Sequence, residues 1–150
     1  MLAVIRTFLR RYSIAPLDEE PDGEHGLRMA VALLLLDVAR ADTEITAEER
    51  QVARQLLERF FPVSSGQAQA LVEAAQHAAE HATSLYPFTS LIKRECDQDE
   101  RVRIVEMLWK VSSADGRIDA HEEHLVRKVA DLLYVPHARF IQAKLAGAVE

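Results

Sequence analysis

Apolar residues recur along most of the chain at spacings of three and four, the period of helices that each bury one face. The run from Met29 to Leu36 is apolar throughout, so the helix expected from about His25 to Ala41 belongs at the centre of a core. Val52, Ala53, Leu56, Leu57 and Phe60 mark one face of a second helix, opened by Thr46 and ended by Pro62. Ser64 or Ser65 caps an alanine-rich helix reaching about His81. Tyr86-Pro87-Phe88-Thr89 reads as an aromatic turn leading into a short helix through Lys93. Asp97 caps the next helix, which carries Val102, Val105, Leu108 and Trp109 to Ala114. Asp119 opens another, with Leu125, Val126, Val129, Leu132 and Leu133, and Pro136 starts a last helix to about Ala146. Strand signals are nearly absent. Residues 12–24 lack periodicity and carry Pro16 and Pro21, as a mobile linker would, and residues 1–11 read as a short amphipathic helix. The pattern predicts an all-α chain of about eight helices, with residues 1–24 as helix and linker and residues 25–150 as a single domain.

The polar positions add an internal repeat. Residues 33–61 align with residues 106–134 without a gap, and Leu35/Leu108, Val38/Val111, Ala41/Ala114, Asp42/Asp115, Ile45/Ile118, Ala47/Ala120, Glu49/Glu122 and Arg54/Arg127 are identical. The shared core is Ala-Asp-x-x-Ile-x-Ala-x-Glu between two apolar-periodic stretches, which predicts two pseudo-symmetric helix–loop–helix units with acids fixed in their loops.

Composition narrows the partners. A net charge of −6 argues against a nucleic-acid binder, which would show a basic face. The single cysteine, Cys96, excludes an intramolecular disulfide and suits a reducing compartment. Glu95 and Asp97 oppose the bases Lys93 and Arg94 beside it, so Cys96 reads as a silent thiol. No stretch of 18 uncharged apolar residues is present, so no transmembrane segment is expected. Leu2, Val4, Ile5, Phe8 and Leu9 give the first helix an apolar face, expected to dock on its own domain, with a protein partner, a homodimer or a peripheral membrane contact as its other uses.

The acidic loops admit two readings. Thr46 with Glu49, and Asp119 with Glu122, have the spacing of capping boxes, and Ile45 and Ile118 stand where a hydrophobic staple belongs. Capping alone therefore accounts for both glutamates. Asp42 and Asp115 each end a helix, where the macrodipole disfavours an anion, and an Asx turn or a bound cation would account for them. The spacing is not that of an EF-hand, because the loop is too short and Gly116 stands second rather than sixth. Two such loops together would offer four carboxylates, an all-oxygen set suited to Ca²⁺, Mg²⁺ or Mn²⁺. Two histidine pairs, His77 with His81 and His121 with His124, have helical spacing but no evident third ligand. Met107, Trp109, Tyr86 and Phe88 read as core. No phosphate loop, nucleophile elbow or dinucleotide fingerprint occurs, so an enzyme is not expected.

Leu85-Tyr86-x-Phe88-Thr89-x-x-Ile92, Leu108-Trp109-x-Val111-x-x-Ala114-Asp115-Gly116 and His121-Glu122-Glu123-His124-Leu125-Val126-Arg127, with the repeat, resemble the bacterial TerB-like family, named after a protein of tellurite-resistance operons. The resemblance spans about residues 25–145. It implies an all-helical domain, cytoplasmic or peripheral at the inner membrane, without catalysis. It also implies a role in stress response, a co-chaperone or other protein partner, and a metal held by acidic loop residues. Carried onto this chain, the metal ligands are Asp42, Glu49, Asp115 and Glu122. The first loop departs from the Asp-Gly pattern, with Thr43 where the second has Gly116, a residue freer to take a positive φ.

Overall fold

The apolar run from Met29 to Leu36 becomes the axis of the fold. It lies in α1 (Glu24–Ala39), where every residue from Met29 to Leu36 is at most 1% exposed. A helix apolar on all sides is stable only when surrounded, and α2 (Ala47–Phe60), α3 (Ser65–Ala79), α4 (Tyr86–Glu95), α5 (Gln98–Ser112) and α6 (Ala120–Leu132) all contact it. The second hub is α5, which touches α1, α2, α6 and the last helix, α7 (His137–Ala148). The computed structural model describes residues 24–39, 45–81, 84–114 and 120–148, and these form seven helices and no strand. The expected helix over residues 1–11 and the linker after it lie outside the described residues.

Capping fixes where the helices begin. Thr46 accepts the Glu49 backbone N–H at 3.1 Å, and its own N–H donates to Glu49 Oε1 at 2.8 Å. Ser64 with Gln67 and Asp97 with Glu100 close the same reciprocal box at α3 and α5. α2 and α3 are further joined where Arg54 donates to Glu58 and Ser65, and Ser65 Oγ donates to the same carboxylate.

Two expectations are corrected at proline. Tyr86–Thr89 is not a turn before a helix but the first turn of α4, because Pro87 falls where a missing N–H costs nothing. Tyr86 is therefore not core: it is 54% exposed, while Phe88, Leu91 and Ile92 on the opposite side of α4 are buried. Pro136 precedes α7 rather than starting it, and its carbonyl accepts the Phe140 N–H at 2.9 Å.

α6 ends in a Schellman motif. The Val135 N–H reaches the Ala130 carbonyl and the Tyr134 N–H reaches the Asp131 carbonyl, at 2.9 and 3.0 Å. That motif needs a left-handed residue at Tyr134, whose φ is 57°. α6 is tied to α7 by Lys144 Nζ, which donates to Glu123 Oε1 at 2.8 Å and holds the Glu123 carboxyl below its ordinary value. No helix among the described residues is long and apolar enough to cross a membrane.

Candidate functional site

The two glutamates of the repeat occupy the same register, each the third residue of its helix. Glu49 in α2 and Glu122 in α6 are both only 4% exposed. An ordinary capping glutamate lies at the surface; these two are drawn inward by the faces that carry them. Glu49 leads Ala53 and Leu56, and Glu122 leads Val126 and Val129, all buried and at the i, i+4, i+7 spacing that puts them on one stripe. Both stripes face the same pair of helices, since α2 and α6 each contact α1 and α5.

Around Glu49 the geometry follows the sequence. Its Oε1 receives the Thr46 N–H, and Ile45 packs against the core as a staple residue should. Asp42, Thr43, Asp115, Gly116, Ile118 and Asp119 lie outside the described residues. The structure thus places two of the four expected acids, Glu49 and Glu122, at matching buried positions. Among the described residues no three of His, Cys, Asp and Glu gather closely enough to hold a metal ion.

The donor chemistry of the buried pair is hard. Carboxylate oxygens suit Ca²⁺, Mg²⁺ or Mn²⁺, and a carboxylate taken from water needs a compensating positive charge or hydrogen bonds. A cavity between α2 and α5, about 190 Å³, is not a cation site, since Arg59 and Lys110 line it with Val52, Gln55, Leu56, Ser113 and Ala114.

The other candidates separate clearly. His77 and His81 do share a face of α3, with ring centroids 5.2 Å apart, but His81 Nδ1 is 3.1 Å from the His77 carbonyl, and both residues are exposed. His121 and His124 are exposed on α6. Cys96 is buried, and burial, ahead of the nearby Glu100 carboxylate, pushes its thiol up to about 11 despite Arg101. At pH 8 roughly one thiol in a thousand would be ionised, and the thiolate is the nucleophile. Folded protein at pH 8 is therefore expected to leave Cys96 unmodified by a thiol-directed disulfide reagent for as long as it stays native, with stoichiometric modification in denaturant. Rapid modification of the native chain would contradict this burial.

Sequence reasoning missed one other arrangement, an open cavity lined by Tyr86, Ser90, Lys93, Arg94, Arg101 and Tyr134. Its residues come from α4, α5 and the end of α6, so no local pattern announces it.

A family model described as Tellurite resistance protein TerB matches residues 28–145, most of the chain. No curated protein and no solved structure matches the chain.

Proposed function

The chain belongs to the TerB family, and from that premise we propose that it is a non-enzymatic module which binds a hard divalent cation between two acidic loops and serves a regulatory, stress-response role. Asp42, Glu49, Asp115 and Glu122 are the proposed ligands, and Ca²⁺, Mg²⁺ and Mn²⁺ the candidate ions. The observation that carries the reading is the burial of Glu49 and Glu122 at the same position of two helices, both packed on α1 and α5. Helix capping explains why a glutamate stands third in a helix. It does not require that the carboxylate be withdrawn from water, and a cation shared between the loops would supply a reason for that burial in both copies.

In this role the ion would fix how the α1–α2 and α5–α6 pairs are set against each other, so ion binding and folding stability are coupled. Chelator-treated protein is expected to melt several degrees higher in saturating cation, since a ligand at 100 times its Kd adds about 2.7 kcal/mol. The rise should be absent in Asp42→Asn/Asp115→Asn. An unchanged melting temperature in millimolar Ca²⁺, Mg²⁺ and Mn²⁺ would overturn the proposal.

A further inference from the structure

The C-terminal ends of α4 and α6 converge on the start of α5, and a basic, aromatic hollow opens where they meet. Arg101 of α5 reaches the Cys96 and Leu133 carbonyls at 3.1 and 3.2 Å, and Gln98 Nε2 reaches the Tyr134 carbonyl at 3.4 Å. The hollow has a volume of about 490 Å³, within the range of small-molecule sites. Three cations line it, Lys93, Arg94 and Arg101, and no carboxylate does, on a chain whose net charge is −6.

These cations are not neutralised by one another's neighbours. Among the described residues, neither Lys93 nor Arg101 has a carboxylate within salt-bridge distance, and Arg94 has only the exposed Glu95, at 3.3 Å. The adjacent acids Asp97 and Glu100 are engaged in capping α5. Arg101 uses Nε and Nη1 on carbonyls and Gln98, and its Nη2 makes only a 3.5 Å contact with the Lys93 carbonyl. Ser90 contributes a hydroxyl of another kind: it is 9% exposed, and its Oγ is buried with no hydrogen-bond partner among the described residues.

The aromatic wall is held at a cost in backbone strain. Tyr134 takes the left-handed position that glycine normally fills, a conformation disfavoured in a residue with a side chain. Burial does not compensate it, because Tyr134 is 71% exposed, with Lys93 Nζ 4.0 Å from its ring centroid. Tyr86, 54% exposed, stands on the same hollow.

We propose that this hollow binds a small phosphate monoester that carries an aromatic ring. A phosphoryl dianion matches the excess positive charge and takes donors from Lys93 and Arg94, with the Arg101 charge behind them. The ring of the ligand lies against the exposed aromatic surface of Tyr134 and Tyr86. This site is separate from the acidic loops and does not depend on a metal there.

Phenyl phosphate is the probe that carries both groups, and inorganic phosphate carries one. Titration of the full chain followed by amide NMR is expected to move the signals of residues 86–94 and 133–135 saturably with phenyl phosphate, with inorganic phosphate about 10-fold weaker. Lys93→Gln should weaken phenyl phosphate by about 10-fold. Tyr134→Gly relieves the strained φ, so it should keep or raise the melting temperature while bringing phenyl phosphate down to the affinity of inorganic phosphate. Arg101 is left intact, because it also holds the ends of α4 and α6. The proposal is overturned if phenyl phosphate gives no saturable shift up to about 10 mM, if Lys93→Gln binds it unchanged, or if the two probes bind the parent chain equally.

Discussion

Replacing Trp109 by alanine is expected to destabilise the fold by about 3–5 kcal/mol, the largest effect of any single truncation considered. Trp109 is 0% exposed on α5, the helix that links α1 and α2 to α6 and α7. Its ring meets Phe140 of α7 with centroids 5.6 Å apart, and Lys144 Nζ of the same helix lies 5.4 Å from it. Truncation removes that contact and leaves a cavity at the α5–α7 seam. A loss of this size is a large fraction of the whole stability of a domain, which is typically 5–15 kcal/mol. Trp109→Phe should cost far less. The Trp109 Nε1–H is buried with no partner among the described residues, so the phenylalanine gives up volume but also removes an unsatisfied donor. Urea unfolding of the three proteins checks both. A loss below about 1 kcal/mol for Trp109→Ala would mean that α7 is not part of the core.

Arg101→Ala is expected to cost about 1.5–3 kcal/mol, the range for hydrogen bonds to a charged group. Its guanidinium reaches the Lys93 and Cys96 carbonyls at the end of α4 and the Leu133 carbonyl at the end of α6. These carbonyls carry the negative end of two helix dipoles, so one cation serves both. Removing it strands acceptors at half-buried positions. Arg101→Lys should recover only part of the loss, because one ammonium cannot span the fork that reaches separate helix ends. Full recovery by lysine in urea unfolding would show that charge alone, and not the fork, joins the two ends.

The elements were legible because local signals agree with burial. The unbroken run from Met29 to Leu36 announced a helix surrounded by others, and Thr46 with Glu49 announced a start that the hydrogen bonds reproduce. Proline was the weaker guide. The place of Pro87 and Pro136 relative to the first turn depends on which residue caps, and Leu85 offers no capping side chain. Tyr86 is exposed rather than core for the same reason, since moving the helix start changes which face each aromatic takes.

The candidate site was half legible. Capping chemistry names Glu49 and Glu122, but their burial follows from the apolar residues four and seven positions on, a stripe that the capping motif conceals. That stripe was in the sequence and could have been read. The hollow at Lys93 and Tyr134 could not. It depends on α4 and α6 ending beside each other, and on a left-handed tyrosine where sequence rules expect glycine.

If the buried Glu49 and Glu122 belong to a cation site, the chain retains metal, and metal content reads this without an intermediate step. Equilibrium dialysis of the chelator-treated chain against Ca²⁺, Mg²⁺ or Mn²⁺, followed by elemental analysis, should be run beside Glu49→Gln/Glu122→Gln. Glutamine keeps the capping hydrogen bond and removes the ligand charge, so the fold is preserved. About one ion per chain is expected in the parent and none in the variant. No retained ion in the parent, or equal content in both proteins, would contradict it and leave the two glutamates as helix caps.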